Sequence, residues 1–133
     1  MEIYLSDVAN KYRDGDYTNK MPSPYEMKVY SKNHVFDENK SVKWNNEQIE
    51  LKNKERELAF EKYRKESSRL TSLLEADIIN AIVYEYKFNN KQANLIYQYA
   101  YQEHHSYGYL EIINSLYELC EVFDDFKKLG RGE

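Results

Sequence analysis

The sequence of 133 residues contains little cysteine, proline or glycine: one, two and four residues, respectively. The single cysteine, Cys120, excludes an internal disulfide and a zinc site built from several cysteines. No apolar run reaches the roughly 18 residues that a transmembrane helix needs, and the N-terminus lacks the basic start and apolar core of a signal peptide. We therefore expect a soluble cytoplasmic protein of about one domain, with no membrane partner.

The positions of the glycines and prolines favour an all-α fold. No glycine lies between Gly15 and Gly108, and no proline follows Pro24. A β-rich fold of this size needs many tight turns, for which glycine supplies the positive φ angles. The same scarcity excludes glycine-rich phosphate-binding loops and the nucleophile elbow of hydrolases. We expect neither an enzyme nor a cofactor.

The charge balance argues against direct binding to nucleic acid. Nineteen basic and 23 acidic residues leave a net charge of −4, whereas a sequence-independent nucleic-acid binder shows a basic face. Fourteen residues are tyrosine, and eight of these lie from Tyr84 to Tyr117. Tyrosine suits half-buried and interface positions, although the codons of an AT-rich genome explain its abundance equally well.

Residues 1–40 are predicted to form an irregular segment with short helices, in front of a helical domain over residues 41–133. Ser6 is expected to cap a helix that runs to Arg13 and ends at an Asp-Gly turn. Further along, Ser23 followed by proline, with glutamate three residues later, indicates a second short helix that ends near Asn33.

A long charged helix is predicted over residues 45–66, which contain no helix breaker. Its apolar side chains form a thin stripe with a spacing of seven: Trp44, Leu51 and Leu58. So thin a stripe is typical of a solvated surface helix. The alternative is packing against something outside the chain, including a second copy in a homodimer.

Three further helices with short connections are expected to form a C-terminal bundle. Ser67-Ser68 is interpreted as a break in the charged helix, and Ser72 as the cap of the first bundle helix. The face of that helix expected to point at water carries Asp77, Asn80, Tyr84 and Lys87.

The second and third bundle helices are separated by a break near Gly108. Asn90 is predicted to cap the second helix, whose buried face includes Ala93 and Tyr97. The third helix has an apolar stripe at alternating steps of three and four, comprising Tyr109, Ile112, Leu116, Leu119, Phe123 and Phe126.

Two features that resemble reactive sites are interpreted as structural. His104 and His105 are adjacent, so on a helix their side chains point about 100° apart and cannot readily share a metal. A helix-end histidine packed against tyrosine is the preferred interpretation, and no metal is expected. Cys120 flanks the apolar stripe of the last helix, where burial raises a thiol pKa, so we expect a core residue rather than a nucleophile.

The polar face of the last helix carries the candidate binding site. Four carboxylates recur there at helical spacing, and we call them the acidic ridge: Glu111, Glu118, Glu121 and Asp125. Like charges at this spacing repel by a few tenths of a kcal/mol per pair, which a basic partner would offset. We predict that the acidic ridge and Tyr84 bind a basic protein surface. The alternative is a solvated acidic face.

Two stretches of the chain resemble small accessory proteins of Firmicutes temperate phages and mobile elements. One is Asp37 to Asn45; the other comprises Ala93 to Tyr97 and His105 to Glu111. That pool includes anti-CRISPR proteins, which bind and block type II Cas9. The resemblance implies a non-catalytic inhibitor of a basic, Cas9-type nuclease in the bacterial host cytoplasm. It assigns no functional residue.

A different class of function is a phage regulator that binds DNA through a helix-turn-helix over residues 90–123. Its recognition helix would carry Glu111, Glu118 and Glu121, which would face phosphates of the same sign. A third hypothesis, a histidine-dependent metalloenzyme, needs a further ligand that only the fold can supply.

Overall fold

The computed structural model describes residues 2–24 and 37–130, with the backbone alone for residues 126–130. This part of the chain is all-α, as predicted, and contains no strand. Its helices are α1 (Leu5–Arg13), α2 (Val42–Tyr86), α3 (Asn90–His104) and α4 (Tyr109–Gly130), with a short 3₁₀ turn at His105–Tyr107. The short helix predicted to start after Ser23 and end near Asn33 falls mainly on residues outside the described ranges.

Helix α2 is continuous, so the predicted break at Ser67-Ser68 is wrong, and Ser72 does not cap a new helix. Serine lowers helix stability by only about 0.5 kcal/mol relative to alanine. Without a glycine or proline, helix propagation continues through it. The Ser67 hydroxyl also accepts a hydrogen bond of 2.8 Å from the Asn19 side chain, which donates to the Tyr63 carbonyl at 3.0 Å as well.

The chain forms two compact units. One unit comprises residues 1–18 and 71–133, and the other comprises residues 19–70. The core of the first unit includes Leu5 and Val8 of α1, both fully buried. The N-terminal residues are therefore part of the same core as the C-terminal helices.

Burial of Asp77 corrects the prediction that this side chain faces water. Only 3 % of Asp77 is exposed. Its carboxylate accepts a hydrogen bond of 2.6 Å from the Tyr17 hydroxyl and lies 3.3 Å from the Lys11 ammonium. The prediction considered only the three C-terminal helices, whereas residues of the N-terminal segment cover this face of α2.

Helix α1 begins at Leu5, so its cap is Tyr4 and not Ser6. The Tyr4 amide donates to the Asp7 carboxylate at 2.9 Å, and the Leu5 amide donates to the Glu85 carboxylate of α2 at 3.0 Å. Side chains therefore supply the acceptors for these two amides at the start of the helix. The predicted end of the helix at the Asp-Gly turn is confirmed.

The cap of α3 is Asn89, one residue before the predicted Asn90. The Asn89 side chain accepts from the Gln92 amide at 2.8 Å, and the Gln92 side chain accepts from the Asn89 amide at 3.0 Å. This reciprocal pair is a capping box. At the other end, the predicted break is confirmed at Gly108, whose φ of +95° lies in the region that favours glycine.

In the second unit, the first part of α2 exposes its apolar stripe. Leu51 and Leu58 are exposed, and Trp44 is half-buried, as expected for a largely solvated helix. Charges four residues apart form ion pairs along the helix, including Lys65 with Glu61 at 3.1 Å. Among the described residues, no helix is both long enough and apolar enough to cross a membrane.

Candidate protein-binding surface

The acidic ridge lies on the exposed face of α4. The opposite face is buried through Ile112, Ile113, Leu116 and Cys120, and this burial sets the rotation of the helix. All four ridge carboxylates, Glu111, Glu118, Glu121 and Asp125, are exposed. Residues seven apart on a helix drift by only about 20°, so Glu111, Glu118 and Asp125 lie nearly in one line.

The ridge carboxylates are exposed to solvent and separate from the described basic side chains. Within the described ranges, none of the four lies in an ion pair. Glu118 and Glu121 are three residues apart, and Glu121 and Asp125 are four apart. Both pairs are helical neighbours of like charge, each of which destabilises a helix by about 0.2–0.5 kcal/mol. Among the side chains that the structure describes, the ridge is therefore a local concentration of negative charge without an ion-pair partner.

Two apolar side chains of α4 are exposed beside these acids. Val122, 49 % exposed, follows Glu118 by four residues and precedes Asp125 by three, so it lies within the ridge. Phe123, predicted as core, is 42 % exposed, which corrects that prediction at this position; the Phe126 side chain lies outside the described residues. Sequence reasoning missed Val122 because it treated this face of the helix as uniformly polar. The spacing of four residues from Glu118 to Val122 would have placed Val122 on the same face.

Tyr84 was predicted to project into water, but its side chain is half-buried. Its ring meets the Tyr4 ring edge-on, with 5.3 Å between centroids, and the Lys87 ammonium lies 4.7 Å from its centroid. A hydrogen bond with Tyr4, followed by the nearby charge of Glu2, raises the pKa of Tyr84. These contacts join Tyr84 to the N-terminal segment and the end of α2, rather than to the acidic ridge.

An open groove of about 520 Å³ forms a second candidate site in the first unit. It lies between α2, α3 and the 3₁₀ turn, and its lining residues are Glu75, Tyr97, Gln98, Tyr101, Gln102 and His105. The lining residues Tyr97, Tyr101 and His105 follow one another at a spacing of four and form an aromatic row. The Tyr97 and Tyr101 centroids are 6.0 Å apart, and the Tyr101 and His105 rings stack at 5.0 Å.

The groove contains a buried polar atom without a partner. Tyr97 is only 5 % exposed, and its hydroxyl makes no hydrogen bond within the described part of the chain. Burial, followed by the negative charge of Glu75, raises the pKa of Tyr97. The neighbouring Tyr109 also contributes to raising the pKa of the Tyr97 hydroxyl. Sequence reasoning placed Tyr97 in the core and missed the groove, although the spacing of Tyr97, Tyr101 and His105 was visible.

His105 and Cys120 occupy the structural positions predicted for them. His105 stacks on Tyr101, and its Nδ1 lies 2.9 Å from the Tyr101 carbonyl oxygen. In the described ranges, no three side chains of the metal-binding types converge. Cys120 is fully buried, and burial, followed by the charge of Glu85, raises the pKa of its thiol to about 12. The thiol is therefore protonated at neutral pH and poorly suited to nucleophilic chemistry.

Comparison of the chain with protein-family models, curated proteins and solved structures gave no match.

Proposed function

We propose that this protein is a non-catalytic inhibitor that binds a basic host defence nuclease, with Cas9 as the first candidate, through the acidic ridge. The observation that supports the proposal is the set of four exposed carboxylates around Val122 on one face of α4. Such a surface combines a negative field with a small apolar contact, as a binding site for a basic protein requires.

The expected mechanism is stoichiometric occlusion. The carboxylates speed the encounter with a positively charged surface, and this steering weakens as salt screens it. After docking, Val122 and Phe123 provide apolar area that becomes desolvated, which is where contact energy concentrates. Tyr84 is proposed as an additional contact, through the part of its ring that Tyr4 and Lys87 leave uncovered.

The nuclease as partner, and the bacterial cytoplasm as the place of action, come from the resemblance to phage accessory proteins. The first test mixes the protein with a Cas9–guide RNA complex and measures cleavage of target DNA. Cleavage should fall as the molar ratio approaches one to one. Undiminished cleavage at molar excess, across several Cas9 orthologues, would show that Cas9 is not the target.

A second test examines the ridge with a variant and a matched control. Glu118→Lys with Glu121→Lys reverses two ridge charges, while Glu47→Lys with Glu57→Lys makes the same change in net charge on the exposed face of α2. The ridge variant should bind the nuclease with an on-rate lower by about tenfold at low salt. The control should bind like the parent. Equal on-rates for the two variants would assign the effect to net charge alone.

A gel-shift titration at low salt tests the helix-turn-helix alternative. That alternative places α4 against DNA, where its exposed carboxylates would face phosphates of the same sign. We expect no shift at low salt, the condition in which phosphate-driven binding is strongest. A salt-sensitive shift by the parent protein would contradict the proposed function.

A further inference from the structure

The groove beside α3 combines features of a site for an organic cation. It is lined by one carboxylate, Glu75, by Tyr97 and Tyr101, and by His105, which stacks on Tyr101. None of its lining residues is lysine or arginine. Aromatic faces and a carboxylate both attract a positive charge. The side-chain oxygens of Gln98 and Gln102 add hydrogen-bond acceptors.

The unpartnered hydroxyl of Tyr97 points to a missing ligand. A buried polar group without a hydrogen bond costs about 1–3 kcal/mol, so native structures usually satisfy such groups. Tyr97 lines the same groove as Glu75, and its buried hydroxyl oxygen can accept a hydrogen bond. A ligand that donates several N–H groups and carries a positive charge would satisfy both residues.

We propose that this groove binds the guanidinium group of an arginine side chain presented by a protein partner. Guanidinium is planar and stacks on aromatic rings, and its N–H groups donate to a carboxylate in pairs. Tyr101, which is 41 % exposed beside the stacked His105, supplies the ring. Glu75 supplies the carboxylate, and Tyr97 and the two glutamines supply further acceptors. A lysine ammonium is a compact, strongly hydrated charge that uses the stacking surface less well.

The shape of the groove agrees with a protein-borne ligand. Its volume of about 520 Å³ lies within the range of roughly 300–1,000 Å³ for ligand sites. Because the groove is open to solvent, a peptide backbone can remain outside while the side chain enters. The site does not include any residue of the acidic ridge, so this inference does not depend on the proposed function.

The test is a titration of the ¹⁵N-labelled protein followed by NMR. The probe is the capped peptide acetyl-Gly-Arg-Gly-amide, and its citrulline counterpart keeps the shape but removes the charge. The arginine peptide should cause saturable chemical-shift changes at the amides of residues 97–105. The citrulline peptide should bind at least tenfold more weakly. The corresponding lysine peptide should bind severalfold more weakly. Equal affinity for the arginine and citrulline peptides, or shifts confined to other residues, would overturn the proposal.

A second arm distinguishes a protein-borne arginine from a free small molecule. Agmatine carries the same guanidinium without a peptide backbone. It should bind more weakly than the arginine peptide, because the backbone at the groove edge adds contacts. Tighter binding of agmatine would replace the protein partner with a small-molecule ligand and overturn that part of the proposal.

Matched variants connect the binding to the groove residues. Glu75→Gln and Tyr101→Leu should each lower the affinity for the arginine peptide by about tenfold. Glu103→Gln and Tyr99→Leu, at exposed positions of α3 outside the groove lining, should leave its affinity unchanged.

Tyr97→Phe separates binding from folding, because it removes only the unpartnered hydroxyl. Its melting temperature should equal or exceed that of the parent, while its affinity for the arginine peptide falls severalfold. If the Glu75, Tyr97 and Tyr101 variants all keep the parent affinity, the groove is not the binding site. A binding failure here leaves the ridge experiments unaffected, since those measure contacts of α4.

Discussion

The Tyr17 hydroxyl donates a hydrogen bond of 2.6 Å to the Asp77 carboxylate, joining residues that are 60 positions apart in the chain. The Lys11 ammonium lies 3.3 Å from the same carboxylate. A buried carboxylate is stable only when it is paired and hydrogen-bonded. This small network therefore fixes the N-terminal segment against α2 within the first unit.

Substitutions at Asp77 and Tyr17 should destabilise the protein markedly. Asp77→Ala leaves the buried Tyr17 hydroxyl without its acceptor, while Lys11, whose side chain is 42 % exposed, stays solvated. It should lower the free energy of unfolding by about 1–3 kcal/mol. Tyr17→Phe removes one charge-assisted hydrogen bond and should cost about 1.5–3 kcal/mol. Chemical denaturation measures both values. The exposed Asp125→Asn is the control, with a change below about 0.5 kcal/mol. An Asp77→Ala protein as stable as this control would contradict the network.

The identity of the α3 cap is testable with two adjacent residues. Asn89→Ala removes the side chain that accepts from the Gln92 amide and should cost about 0.5–2 kcal/mol. Asn90→Ala changes the first residue inside the helix and should be neutral or slightly stabilising, because alanine has the higher helix propensity. Thermal or denaturant unfolding compares the two variants. If Asn90→Ala were the more destabilising of the two, Asn90 and not Asn89 would be the cap.

Stability should fall at alkaline pH partly because of Cys120. Its thiol pKa rises from the ordinary value of 9.0 to about 12 in the folded chain. Above pH 9 the unfolded chain therefore loses this proton while the folded chain keeps it. The contribution of the thiol to stability is complete below pH 9 and is lost between pH 9 and 12. Its slope is about −1.4 kcal/mol per pH unit.

Cys120→Ala isolates this contribution. The variant should be less stable than the parent at pH 7, because it leaves a small cavity. Its free energy of unfolding should nevertheless decline less steeply between pH 9 and 10 than that of the parent. Denaturant titrations at each pH give the two slopes. Parallel pH profiles would show that the buried thiol does not contribute.

Neutralising one ridge carboxylate should stabilise the free protein. Glu121→Gln removes two like-charge contacts, with Glu118 and Asp125, and should raise the free energy of unfolding by about 0.5 kcal/mol at low salt. The gain should shrink near 1 M salt, where the screening length is about 3 Å. Glu103→Gln, outside the ridge, is the control. A Glu121→Gln protein less stable than the parent would contradict the proposed repulsion.

Sequence reasoning succeeded where local signals decide the structure. The scarcity of glycine and proline indicated an all-α fold, and the break at Gly108 follows from a residue that readily adopts positive φ. The rotation of α4 was also predictable, because the periodic stripe through Ile112 and Leu116 must be buried. That rotation placed the acidic ridge on the exposed face.

Other features depend on contacts between distant segments. Ser67 was interpreted as a break, but the structure continues α2 through it, with Asn19 bonded to its hydroxyl. Tyr84 was expected to face water, but Tyr4 covers part of its ring. In each case a residue far away in the chain changes the environment that periodicity alone would assign.

The amino-acid sequence by itself determined the helical class, the glycine break and the exposed face of α4, because each depends on interactions within a few residues. Only the tertiary structure decided that Asp77 is buried, since that requires Tyr17 and Lys11 to meet it across about 60 residues. The groove likewise depends on contacts between segments that are distant in the chain. The spacing of Tyr97 and Tyr101 is a local property, but the position of Glu75 beside them depends on how α2 packs against α3.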